Sequence, residues 1–188
     1  MNLCNRTNLS TWENIAKQVP SIKVENGMYI SKDNVLIGYE GKSEKLVVPE
    51  GITTIANNVI KGEGYNPDSK IAKEIVIPDT VKVIEDRAFF SRYNLEKVTL
   101  PKNLTEIGDY AFFECNIKEI EIPNTITKWG KNVFSSCALE KVTIPTNIKE
   151  IPEGMFDACY KLKNIVIPDN IEKINEGAFW DCRNLESV

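Results

Sequence analysis

The sequence predicts an α/β repeat solenoid: parallel strands stacked in about six coils of 22–23 residues, capped by an N-terminal helix and β-hairpin. Three observations carry this. An aliphatic residue precedes proline at Val48-Pro49, Ile77-Pro78, Leu100-Pro101, Ile122-Pro123, Ile144-Pro145 and Ile167-Pro168, and the prolines lie 29, 23, 22, 22 and 23 residues apart. A fixed period of this length marks a solenoid, because each unit buries its apolar face only against its neighbours. Phe89, Phe112, Phe134, Phe156 and Phe179 keep the same period, and so do Cys115, Cys137, Cys159 and Cys182.

Residues 1–42 are expected to form the cap, and residues 43–188 one continuous solenoid whose last coil is incomplete. In the cap, Trp12, Ile15, Ala16 and Val19 share one helix face at i, i+3, i+4 and i+7. Ser10 and Glu13 make a capping box for this helix, and Pro20 stops it. So short a helix is unstable alone, and its apolar face must dock. Residues 21–41 predict a β-hairpin: Ile22, Val24, Tyr29 and Ile30 before a Lys32-Asp33-Asn34 turn, then Val35, Leu36, Ile37 and Tyr39.

Each coil opens on a short strand. Proline ends it, having no amide donor for the next ladder bond. In the third coil Val98, Thr99 and Leu100 should point in, out and in before Pro101. Stacked copies build a parallel sheet at about 4.8 Å per coil. A second segment follows, Leu104 to Ile107 in this coil, and then Ala111-Phe112 and Cys115. The five phenylalanines should stack as a buried spine, with Ile60 in their place in the first coil.

These residues resemble the BspA-like, treponemal-type branch of the bacterial leucine-rich repeat proteins. Ile107-Gly108-Asp109-Tyr110-Ala111-Phe112 matches that branch's Ile-Gly-x-x-Ala-Phe segment in full, beside the Ile-Pro step and the cysteine. Ile151-Pro152-Glu153-Gly154-Met155-Phe156 departs from it at Pro152, Gly154 and Met155. The likeness covers residues 43–188, and Val24-Glu25-Asn26-Gly27 to Ser31-Lys32-Asp33 is similar to the hairpin that often precedes such repeats. The resemblance implies a leucine-rich repeat fold and a protein-interaction role, often in adhesion or host contact. It also implies a place at the bacterial cell surface or in secretion.

Composition narrows function by exclusion. A net charge of −4 with both signs interspersed disfavours nucleic acid, since phosphate binding needs a basic face. There is no histidine, which removes His-based triads and His metal sites. No apolar run approaches the roughly 18 residues of a membrane span, so no membrane insertion is expected. Met1 to Thr7 lack a basic region followed by an apolar one. The sequence as written therefore carries no signal peptide, and predicts a cytoplasmic protein or one whose signal has been removed. Asp157 and Asp181 sit at repeat positions with no evident partner to perturb them, and no catalytic residue, metal or cofactor is expected.

Three features compete to carry function. The cysteine column reads first as small buried hydrophobes. Zinc ligands usually come in close pairs, whereas disulfides between adjacent coils need only Cα atoms within about 7 Å. The outward strand positions, two before each proline, hold Val47, Val76, Thr99, Glu121, Thr143 and Val166, a weakly polar stripe able to take a partner. Four before each proline stand Lys45, Glu74, Lys97, Glu119, Lys141 and Asn164, and Glu106, Lys128, Glu150 and Lys173 alternate in the second segment. Both charge ladders favour correct register. The longer first coil places an insertion at residues 61–70, where Tyr65 could anchor a contact. Leu185 to Val188 begin a seventh strand, which predicts a piece of a longer repeat protein or self-association through that edge. The function these features predict is a non-enzymatic module binding a protein or cell-surface partner; the alternative is a structural spacer without its own ligand.

Overall fold

The computed structural model describes residues 12–19, 21–60 and 71–186. Helix α1 (Trp12–Gln18) buries Ile15 against Tyr29, with Ala16, Val19, Ile22 and Ile37 half-buried around them. Glu13 and Lys17 pair at 2.9 Å on its solvent side, while Ser10 lies outside the described residues.

The hairpin expected over residues 21–41 is a three-stranded antiparallel meander. Its strands are β1 (Lys23–Glu25), β2 (Met28–Ile30) and β3 (Val35–Tyr39). Val24 and Tyr29 pair across two strands and do not share an arm. The additional turn is Asn26-Gly27, with φ of 49° and 78°, a two-residue turn whose twist suits the strands it joins. A Cβ on Gly27 would also lie 2.7 Å from the Gly41 backbone, so only glycine fits.

Two parallel ladders run along the coils. The proline-ended strands β4 (Lys45–Val47), β6 (Glu74–Val76) and β8 (Lys97–Thr99) form the first. It resumes separately in β10 (Glu119–Ile120) and β12 (Lys141–Val142). The second ladder joins β5 (Thr54–Ile55), β7 (Val83–Ile84), β9 (Glu106–Ile107) and β11 (Lys128–Trp129). It too resumes separately, in β13 (Glu150–Ile151) and β14 (Lys173–Ile174). Strand β3 pairs in parallel with β5, so the meander extends the second ladder and leaves the first alone.

Both interruptions have causes in the sequence. In the second ladder each coil gives an amide to the coil before: Glu85 to the Ile55 carbonyl at 2.9 Å, Gly108 to Ile84 at 2.8 Å, Gly130 to Ile107 at 2.8 Å, and Asn175 to Ile151 at 3.1 Å. The equivalent residue in the fifth coil is Pro152, which has no N–H to give Trp129. The first ladder breaks where the linking turn changes length. Leu95 follows Arg92 by three residues and Leu162 follows Cys159 by three, but Ile117 follows Cys115 by two and Leu139 follows Cys137 by two. The two short turns feed β10 and β12, which pair with each other and not with β8.

The phenylalanines stack as expected, but only Phe89, Phe112, Phe134 and Phe156 are buried; Phe179, in the last coil, is half-buried. Ring centroids are 5.2 Å apart from Phe89 to Phe112, then 5.5, 6.1 and 5.6 Å through Phe134 and Phe156 to Phe179. Ile60 is buried in the same core as Phe89. This side of each coil is made of turns, and α1 is the one helix among the described residues. The turns are tight enough to force left-handed backbone at two positions in each of the second to sixth coils, and at Asn58 in the first. One column holds Asn58, Arg87, Tyr110, Asn132, Gly154 and Gly177, the other Ser91, Glu114, Ser136, Ala158 and Asp181.

Candidate functional site

The strand face presents its residues as alternation requires. Val98 and Leu100 are buried and Thr99 between them is exposed. Val47, Val76 and Thr99 stand in one register row across β4, β6 and β8. Glu121 and Thr143 are exposed one residue beyond the β10–β12 pairs. Val166 is 81% exposed, against 53% for Val47. Tyr65 and the insertion lie outside the described residues.

The stripe is not one uniform surface. A groove of about 730 Å³ opens over the third to fifth coils, and Thr99, Glu121 and Thr143 all line it. Its floor is Val98, Ile120 and Val142, and it lies across the step from β8 to β10, where the first ladder is not closed. Lys97, Lys118 and Lys141 alternate around its edge with Glu96, Glu119 and Glu140, so the rim is mixed in sign. Val47, Val76 and Val166 are on the same face outside the groove. The sequence signal that separates the two groups is the change from three residues to two in the linking turn.

Each thiol of the cysteine column does more than fill space. Cys115 donates to the Phe89 carbonyl at 3.3 Å, Cys137 to Phe112 at 3.1 Å, Cys159 to Phe134 at 3.3 Å and Cys182 to Phe156 at 3.1 Å. The column therefore ties each of the third to sixth coils to the spine of the coil before. Burial pushes the Cys115 thiol up to about 12 and those of Cys137 and Cys159 well above the usual range, which keeps them protonated and unreactive. Arg92, at the aligned place in the second coil, is half-buried and gives its Nε to the Phe90 carbonyl at 3.1 Å.

A model of the BspA type leucine rich repeat region, in six copies, matches residues 65–186, well over half of the chain. The chain belongs to the BspA type leucine-rich repeat family. Solved structures share its fold. A leucine-rich repeat protein from Bacteroides ovatus ATCC 8483 is 24% identical with a TM-score of 0.60, over 89% of this chain and 51% of its own. The pneumococcal vaccine antigen PcpA is 22% identical with a TM-score of 0.64, over 82% of this chain and 42% of its own. The T. pallidum leucine rich repeat protein TpLRR is 20% identical with a TM-score of 0.58, over 89% of each chain. The chain thus spans about half the length of the Bacteroides protein and less of PcpA. No match was found among curated proteins.

As a BspA type protein the chain falls among protein-interaction repeats, which are typically non-catalytic scaffolds. No helix among the described residues is long and apolar enough to cross a membrane. Its first charge ladder closes as Lys45–Glu74 at 3.0 Å and Lys97–Glu74 at 3.7 Å. The second closes as Lys128–Glu106 at 3.0 Å and Lys173–Glu150 at 3.6 Å, one pair on each side of the Pro152 interruption. The two aspartates do have partners. Ser135 donates to Asp157 at 3.3 Å, and Arg183 pairs with Asp181 at 2.7 Å and holds that carboxyl below its ordinary range. Both are spoken for by structural contacts.

Proposed function

We propose that this chain is a non-enzymatic interaction module of a bacterial surface protein, acting in adhesion or host recognition, that takes a protein partner across the strand face. The groove carries this reading. It places Thr99, Glu121 and Thr143 around an apolar floor of Val98, Ile120 and Val142, and its alternating charges suit a partner of mixed charge. The insertion around Tyr65 is proposed as a second contact. Family membership supports an interaction role, and the likeness to a pneumococcal antigen supports the surface setting.

A comparison of capture from epithelial-cell surface extract tests it. The wild-type chain and a Thr127→Arg control on the second ladder should retain the same protein, and Thr99→Arg/Thr143→Arg should lose it. Equal capture by all three would remove the groove from the interface. Capture by none favours the other reading, a spacer without its own ligand. That reading has support in the length of the Bacteroides protein and in the ion pairs that neutralise part of the surface.

A further inference from the structure

A second concavity lies on the linking turns, beside the strand-face groove. The turns into the fourth and fifth coils are each one residue short, so Cys115-Asn116 and Cys137-Ala138 are recessed between their longer neighbours. The residue gained in the longer turns is a tyrosine on both sides, Tyr93 before the recess and Tyr160 after it. The result is a cleft of about 480 Å³ with an aromatic ring at each end, within the range of small-molecule sites, about 300–1,000 Å³.

We propose that this cleft binds a neutral saccharide. Each wall supplies an aromatic ring of the kind that packs against the C–H face of a pyranose. Asn116 sets a planar amide on the lining, able to give and accept hydrogen bonds with adjacent hydroxyls. Charge on the lining cancels: Lys73 and Lys161 oppose Glu96 and Glu114, which selects neither an anion nor a cation. The floor is small, Ala138 and the backs of two buried thiols, and offers no deep apolar pocket of the sort that anchors a peptide side chain. The tyrosines are also held in place. Tyr93 donates to Glu114 at 2.7 Å, Ser91 donates to the same carboxylate at 2.7 Å, and Arg183 lies 5.6 Å from the Tyr160 ring centre. Preorganised walls reduce the ordering cost of binding.

NMR titration of the full chain with maltose, lactose and N,N′-diacetylchitobiose, each to about 20 mM, tests the proposal. At least one disaccharide should move the amides of Asn94, Asn116 and Ala138 saturably. Tyr160→Ala, at an exposed side chain, should weaken that response about tenfold, and Ala138→Phe, which fills the recess, should abolish it. Thr99→Arg/Thr143→Arg should leave it unchanged, which separates this site from the strand-face reading. The proposal is overturned if none of the three sugars saturates these amides, or if Tyr160→Ala titrates as wild type. Tighter binding of 3′-sialyllactose than of lactose would overturn its neutrality, and a response to the tripeptide Gly-Phe-Gly without a response to sugars would reassign the cleft to peptide.

Discussion

Substitution of Cys137 separates the two contributions of its thiol. The side chain is 2% exposed, and its sulfur lies 3.1 Å from the Phe112 carbonyl. Cys137→Ala removes both the buried volume and the donor. Loss of a buried group of this size costs about 1 kcal/mol in transfer and cavity terms, and loss of the weak hydrogen bond about 0.5–1 kcal/mol, so about 2 kcal/mol together. Cys137→Val keeps the apolar volume without the donor and should cost about 1 kcal/mol. Cys137→Ser keeps a donor but buries a hydroxyl in a smaller volume and should also cost about 1 kcal/mol. Urea unfolding followed by circular dichroism, with an unchanged slope as the check on cooperativity, measures all three. In a chain of this length each kcal/mol moves Tm by about 2–4 °C. A Cys137→Val variant as stable as wild type would refute the coupling of the column to the spine, and leave the thiol as a plain hydrophobe.

Three further outcomes follow from the geometry. Ser136 holds φ of 57° and Gly154 holds 60°, so the two positions should respond in opposite senses. Ser136→Gly should stabilise by about 0.5–1 kcal/mol, and Gly154→Ala should destabilise by about 1–2 kcal/mol, read from the same urea melts. Glu74 is held below its ordinary value of 4.5 by the Lys45 hydrogen bond first and by Lys97 in addition. A depressed carboxyl contributes stability above its unfolded pKa and loses it as pH falls through the folded one. The Tm gap between wild type and Glu74→Gln should therefore be present near about pH 6 and shrink as pH falls below 4.5. Phe134 is fully buried between two stacked rings, so Phe134→Ala should cost about 3–5 kcal/mol; a loss under about 1 kcal/mol would show that the spine is not the core.

Much of the candidate site was legible before the fold was. The outward positions Thr99, Glu121 and Thr143 follow from alternation before each proline, and the structure exposes all three. Which of the six outward residues share a groove was less visible, because that depends on how far each linking turn carries the chain before the next strand begins. The signal is present as the two-residue spacing from Cys115 to Ile117 and from Cys137 to Leu139, but its meaning rests on comparing coils in space. The Asn26-Gly27 turn is similar: a strong local signal, set among apolar residues that also fit one longer arm.

The sequence by itself determined the period, the phenylalanine spine, the burial of Cys115, Cys137 and Cys159 in their column and the alternation of the strands. Stacking in a solenoid puts equal positions in contact, so periodicity along the chain is already adjacency in space. Only the tertiary structure decided where the ladders stop, that each thiol reaches the carbonyl of the preceding phenylalanine, and that two shortened turns leave a cleft between Tyr93 and Tyr160. Those features depend on where a coil departs from the repeat, at Pro152 or at one missing residue, and a departure acquires its effect only from the neighbouring coils packed against it.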